Sequence, residues 1–353
     1  MIKLALSALI SLMFASAAIA APTSDASGAA PKKHQMKSKR QPVRVAATDA
    51  GERMVKRVMK VNGKRKVVYQ RVLAAAPAVP TMGDLAGLNR TSDPLDLKSN
   101  VALVLDQANS EVLFEKNSNV ALPIASITKM MTGLIVVEAK QDMDEILTVT
   151  DEDVDREKFS SSRLKVGTQM TRANMLHIAL MSSENRAASA LGRNYPGGKP
   201  AFVEAMNAKA RELGMTDTHY VDSSGLSKMN VASARDLAKL AMAAYQQPVL
   251  RQYSTDPKAV VETNNGRPMA FGTTNHLVAS PDWAIGLQKT GFINEAGRCL
   301  MMQAVIEGRS VIMVFLDSKG KQSRTADAGR MRKWLEALKP AGLSGSSSYS
   351  TGM

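Results

Sequence analysis

Residues 125–140 read ASITKMMTGLIVVEAK, a serine and a lysine three residues apart at the head of an apolar run. The run from Met130 to Val137 is apolar on every side and belongs in a core. If residues 126–138 form a helix, Ser126 and Lys129 share one face a turn apart, within reach of each other. A serine hydroxyl is a poor nucleophile until a base takes its proton, and lysine becomes such a base when burial lowers its pKa. A helix start also turns backbone N–H groups toward any oxyanion formed at the serine. The spacing alone is a weak signal. Ser162–Lys165 and Ser318–Lys321 repeat it, but in polar, turn-like surroundings that leave the lysine in water.

Outward from this stretch the chain alternates between two patterns. Before it, residues 101–107 and 111–116 read as two strand arms joined by a turn at 108–110, which predicts a β-hairpin. After it come helical spacings in 171–183, 184–195 and 200–215, the last ended by Gly214, and in 233–245 with Ser233 as N-cap. Strand patterns return in 284–292, 299–308 and 310–318, joined by short turns, and 327–338 reads as a closing amphipathic helix. Short connections make these strands an antiparallel meander. The predicted class is α+β: one antiparallel sheet from hairpin and meander (residues 94–140 and 258–338), the first and last helices on it, and a mostly helical subdomain (141–257). The cleft between the halves is the expected site.

Two further motifs bear on chemistry. Ser183-Glu184-Asn185 lies between helical segments, where a second hydroxyl can relay protons and an amide can hold a substrate carbonyl. Lys289-Thr290-Gly291 falls in a strand, where a cation and a hydroxyl can hold a carboxylate while glycine lets a substrate backbone approach. Each is weak alone. The order S-x-x-K, S-x-N, K-T-G, at separations of 57 and 106 residues, is the combination found in penicillin-binding proteins and serine β-lactamases.

Across residues 95–338 the chain resembles the low-molecular-mass penicillin-binding proteins, the D-alanyl-D-alanine peptidases, and shares their DD-peptidase/β-lactamase-like fold by implication. The resemblance implies that Ser126 is the nucleophile forming an acyl-enzyme with a D-alanine carbonyl of peptidoglycan, Lys129 its base, and Ser183 the relay to the leaving amine. It implies that Asn185 holds the substrate amide and that Lys289, Thr290 and Gly291 form the carboxylate-binding strand. The N–H groups of Ser126 and Phe292 would be the oxyanion hole. β-Lactams are then expected as covalent inhibitors, with no metal and no other cofactor. Glu184 occupies a position that varies in the family and is given no role. The end of the chain, with one helix and the tail 339–353 where many carboxypeptidases carry a further β-domain, looks more like the branch that cuts D-alanyl cross-links. Carboxypeptidase is the alternative, followed by a serine β-lactamase or a non-catalytic peptidoglycan binder. Glu204, the one glutamate considered for β-lactamase deacylation, reads as a solvated helix charge.

Composition limits the rest. Residues 1–20 combine Lys3, an apolar run and small residues at Ala18 and Ala20, a secretory leader, and no later run approaches the roughly twenty apolar residues of a membrane span. A periplasmic, soluble or peripherally attached protein is expected. The net charge of +14 is concentrated in residues 31–71, where fourteen Lys and Arg face only Asp49 and Glu52, leaving the rest nearly neutral. Residues 21–93 read as a largely disordered basic extension, with one hairpin signal at Asn62-Gly63 between Val-rich arms. An anionic membrane or wall surface, not nucleic acid, is its expected partner. The single cysteine, Cys299, excludes an internal disulfide and reads as a buried strand residue. The four histidines are scattered, and His177 reads as a core or boundary residue.

Overall fold

The computed structural model describes residues 52–61, 64–73, 79–264, 266 and 268–338. The leader, the first part of the extension and the tail lie outside them. The described residues fall into two units, one before residue 77 and one after it. In the first, β1 (Glu52–Val61) pairs antiparallel with β2 (Lys64–Leu73), from Glu52 opposite Leu73 to Val61 opposite Lys64. This pairing falls where the sequence carries its hairpin signal, an Asn-Gly dipeptide between two valine-rich arms.

The second unit also begins earlier than residue 94. Thr81 caps the short helix α1 (Met82–Leu85) and donates from Oγ1 to Asp317 at 2.8 Å, while the Met82 N–H reaches the Glu295 carbonyl at 2.9 Å. These bonds tie the segment to the end of the main sheet, which is why it is ordered despite its polar composition. The chain continues through β3 (Ser99–Asp106), β4 (Val112–Lys116), β5 (Leu122–Pro123), α2 (Thr128–Glu138), β6 (Ile146–Thr148) and β7 (Gln169–Thr171). Then come α3 (Arg172–Met181), α4 (Asn185–Arg193), α5 (Gly198–Glu212), β8 (Val231–Ala232), α6 (Ala234–Tyr245) and α7 (Pro248–Thr255). The last part holds β9 (Lys258–Val261), β10 (Met269–Gly272), β11 (Ala284–Ile293), β12 (Gly297–Ile306), β13 (Arg309–Ser318) and α8 (Ser323–Ala337).

Five strands form one antiparallel sheet in the order β11-β12-β13-β3-β4, so the early hairpin and the late meander share a sheet as their patterning predicts. Alternation assigns the faces. Leu103, Leu105, Met301, Ile312 and Val314 enter one buried cluster, and Ala102, Val104, Met302, Met313 and Phe315 enter the other. Helix α8 covers the second face, its Trp334 ring meeting Phe114 edge-on at 5.8 Å. Helix α6 covers the first with Leu237, Leu240, Ala241 and Ala244.

The position of α2 corrects the sequence reading, which lays it on the sheet beside α8. Nine of its eleven residues are buried, and its helical neighbours are α3, α4, α5, α6 and α7. A helix apolar all round is best covered by helices on every side, whereas α6 has one apolar stripe that suits a sheet. Met130, Met131, Leu134, Ile135 and Val136 are at most 5% exposed, and each such burial contributes about 1.5–3 kcal/mol. Local signals hold elsewhere: Gly214 takes φ +67° past the end of α5, and the Ser233 side chain accepts the Asp236 N–H at 3.2 Å to open α6. Helix α7 and the β9–β10 hairpin, not read from the sequence, support β11. Gln288 Nε2 donates to the Ser254 carbonyl at 2.6 Å, and the hydroxyls of Thr274 and Thr290 meet at 2.6 Å.

One buried carboxylate joins α8 to the start of β3. Asp327 of α8 accepts from the N–H groups of Lys98 and Ser99, at 3.1 and 2.8 Å, from Ser99 Oγ at 2.6 Å and from Arg330 at 2.5 Å. Removing it leaves those donors without partners in the core. The expected effect of Asp327→Ala is a loss of about 3 kcal/mol in urea unfolding. A loss under about 0.5 kcal/mol, the level of an ordinary surface substitution, would contradict the assigned role.

Candidate active site

Ser126 and Lys129 meet as predicted, through a slightly different backbone. Residues Ala125–Ile127 form a turn of 3₁₀ helix that leads into α2, so the serine stands just ahead of the α-helix and the lysine in its first turn. Lys129 Nζ lies 2.9 Å from Ser126 Oγ, 2.7 Å from Asn185 Oδ1 and 2.5 Å from the Ser224 carbonyl. The lysine is fully buried, and burial brings its pKa down to about 7, while Asp222 and Glu184 pull weakly upward. A neutral amine has two N–H bonds and one lone pair. Asn185 and Ser224 take the two N–H bonds, which aims the lone pair at the Ser126 hydroxyl. The lysines of the two competing S-x-x-K copies, Lys165 and Lys321, are both exposed.

Asn185 is the first residue of α4 and is fixed from both ends of its amide, with Oδ1 on Lys129 and Nδ2 donating to Ser160 Oγ at 2.9 Å. One Nδ2 proton stays available. Ser183, in the turn between α3 and α4, holds φ +63°, an uncommon conformation for a residue with a side chain. Its hydroxyl accepts from Lys289 Nζ at 2.9 Å. Lys289 is also fully buried and donates to the Thr290 carbonyl at 2.8 Å. Burial, and then the charges of Lys129 and Arg324, push its pKa well below that of an ordinary lysine.

Gly291 lets β11 press against the serine turn. A Cβ there would stand 2.8 Å from the Ile124 carbonyl oxygen and 3.1 Å from the Ser126 nitrogen. The neighbouring Phe292 is half-exposed at the rim. Thus Ser126, Lys129 and Asn185 are joined by hydrogen bonds through Lys129, Ser183 and Lys289 by their own bond, and Gly291 abuts Ser126.

Several contributors escaped the sequence reading. The loop 222–225 supplies the Ser224 carbonyl, and Asp222 shapes it by accepting the N–H groups of Ser224 and Gly225, both at 2.6 Å. Gly225 holds φ +79°, and a Cβ on it would fall 1.9 Å from the Ala125 carbonyl oxygen, so only glycine fits. Arg324 of α8 donates to the Gly291 carbonyl at 2.7 Å. Glycine in DSSGLS was the one visible signal; a backbone carbonyl has none. Cys299 is buried in β12 with its thiol pushed up to about 12 by burial, and His177 stacks on Tyr253 and pairs with Asp256 at 2.8 Å. Glu204 is exposed on α5. Among the described residues there is no group of His, Cys, Asp and Glu suited to a metal.

Comparison with known proteins agrees with this arrangement. Residues 88–320 match the peptidase S11 family, described as D-alanyl-D-alanine carboxypeptidase. A D-alanyl-D-alanine endopeptidase of Pseudomonas aeruginosa is 49% identical over 242 residues, 68% of this chain and 78% of that protein. One of Escherichia coli is 40% identical over 269 residues, 76% of this chain and 87% of that protein. Among solved structures, penicillin-binding protein D2 of Listeria monocytogenes in its cefotaxime-bound form aligns with a TM-score of 0.61 and 30% identity over 69% of this chain and 98% of that one. With its motif order, fold and family match in agreement, the chain belongs to the peptidase S11 family and is a serine-type D-alanyl-D-alanine peptidase.

Proposed function

We propose that this protein is a D-alanyl-D-alanine endopeptidase that opens D-alanyl cross-links of peptidoglycan through an acyl-enzyme on Ser126. The observation that carries the reading is the buried amine of Lys129, 2.9 Å from Ser126 Oγ and with its pKa brought down to about 7, so that a substantial share is neutral near pH 7. Lys129 takes the hydroxyl proton as Oγ attacks the D-alanine carbonyl carbon. The N–H groups of Ser126 and Phe292 receive the oxyanion, and Asn185 holds the stem amide through its spare Nδ2 proton. The proton passes to the departing amine of the neighbouring stem by way of Ser183. Water then attacks the ester with Lys129 again the base, and the acid and the free serine are released.

Lys289 and Thr290 bind the carboxylate beside the scissile bond. An arriving anion reverses part of the desolvation that depresses Lys289, so substrate itself favours the charged form. Support for cross-link cleavage over terminal trimming comes from the likeness to the two endopeptidases. Support for β-lactam acylation comes from the related cefotaxime-bound protein and the matching motifs.

The leader at 1–20 supports export, and among the described residues no helix is long and apolar enough to cross a membrane. The domain layout proposed is a leader, a basic extension and the peptidase domain. The charge of residues 31–71 supports contact with an anionic membrane or wall surface.

Mature protein incubated with cross-linked peptidoglycan is expected to convert dimeric muropeptides to monomers by mass spectrometry, and Ser126→Ala to leave them intact. Release of single terminal alanines with cross-links unchanged would replace the endopeptidase with a carboxypeptidase. The acylation rate with a fluorescent penicillin is expected to fall about tenfold per pH unit below a midpoint near 7 and to level off above it, because only neutral Lys129 accepts the proton. A flat profile from pH 5.5 to 8.5 would sink the assignment of Lys129 as base. Gly291→Ala is expected to slow the same acylation about a hundredfold by prising β11 from the serine turn, and a change within twofold would show the close approach to be dispensable.

A further inference from the structure

Beyond the reacting atoms, a cavity of about 460 Å³ opens beside Phe292. It lies where the β11–β12 turn, the segment before α1 and the loop from β13 to α8 meet. Arg298, Lys319 and Lys321 line it, with one carboxylate, Asp84. Lys319 pairs with Asp84 at 2.5 Å. Among the described residues, no carboxylate stands within ion-pairing distance of Arg298 or Lys321. Arg298 faces Phe292 across the strands, its guanidinium 4.6 Å from the centre of the ring. The ring orients the guanidinium without neutralising it, and an oriented, unneutralised fork is what a carboxylate binds best.

The polarity of the substrate, on the endopeptidase reading from which this inference proceeds, leads to that cavity. With the carboxylate beside the scissile bond on Lys289 and Thr290 and the D-alanine carbonyl at the Phe292 N–H, the donor stem runs backward along β11. It passes Phe292 toward Asn294 at about 3.3 Å per residue. The residues reaching the cavity are the diamino acid and, about 7 Å or more from the carbonyl, the γ-linked D-glutamate.

We infer that the cavity is a specificity subsite in which Arg298, seated on Phe292 and assisted by Lys321, binds a carboxylate of the donor stem upstream of the scissile D-alanine. Two groups supply that chemistry, the α-carboxylate of D-glutamate and the side-chain carboxylate of a diaminopimelate-type residue. Because the contact is remote from the bond that breaks, it separates stems that carry this charge from amidated ones.

Three synthetic D-alanyl cross-linked dimers that differ only in the donor stem test the subsite. The first carries D-glutamate and lysine, the second D-isoglutamine and lysine, the third D-isoglutamine and diaminopimelate. Wild-type kcat/KM is expected to be roughly tenfold higher for the first than the second if D-glutamate is the source, or for the third than the second if the diamino acid is. In Arg298→Ala the ratio is expected to fall to about one, mainly through KM, and Arg298→Lys to restore part of it. Equal wild-type rates on all three dimers overturn the subsite without any variant. So does an Arg298→Ala protein in which all dimers and penicillin acylation slow together with the ratio intact, since that marks a merely structural residue. A wild type that is acylated by penicillin yet cleaves none of the dimers overturns the endopeptidase reading, and the subsite with it.

Discussion

The removal of the Lys129 amine from water is the constraint around which the domain is arranged. Lowering an ammonium from an ordinary pKa to about 7 corresponds to a cost on the order of 5 kcal/mol for the charged form. The five large apolar side chains of α2, at about 1.5–3 kcal/mol each, offset that cost, even after allowing for a denatured chain that is not fully exposed. The apolar run that follows the serine and lysine therefore has a chemical consequence. It carries the lysine into a place where the neutral amine is well populated near pH 7, and the same packing holds the first turn of the helix still.

Burial alone would trap an unsatisfied amine, and the fold answers with acceptors from two separate segments. Asn185 comes from the start of α4, and the Ser224 carbonyl from a loop drawn tight by Asp222. That loop reaches the serine turn only because Gly225 has no side chain to meet the Ala125 carbonyl. On the other side Gly291 plays the same part for β11. Two glycines thus bring two backbones onto one turn, and the nucleophile stands between them. The second buried lysine, Lys289, lies close enough that, after burial, the charge of Lys129 is the next cause of its lowered pKa.

The legible parts of this arrangement were those encoded by residue type and period. Short apolar runs bounded by turn residues revealed the strands at 101–106 and 310–318, and their near-continuous apolar character fits a sheet covered on both faces. Ser126, Lys129, Ser183, Asn185 and Lys289 stood out because three motifs, each weak alone, occur together in one order. What stayed hidden was carried by backbone or by distant pairing. Ser224 acts through a carbonyl that every residue possesses, and Arg324 reaches Gly291 from a helix 33 positions later. The packing of α2 was misjudged because its length suited either site. The single apolar stripe of α6 in SARDLAKLAMAAY, against the all-round apolar surface of α2, decides which helix a sheet can cover. Residues 79–93 looked like linker because their order comes from Asp317 and Glu295, more than two hundred residues away.

Strand β11 stands at the edge of the main sheet, with β12 as its one strand partner among the described residues. An open edge is ordinarily a liability, since unpaired N–H and C=O groups invite another strand. Here the edge is guarded rather than closed. Helix α7 supports one end through Ser254, and the serine turn closes on Gly291. Phe292 is left half-exposed beyond the point of closest approach. An extended peptide can thus pair only over the few residues that pass the nucleophile. A substrate as large as a cross-linked stem suits such a strand better than an enclosed pocket, because its ends can leave the site in both directions while the bond between them is held against Ser126.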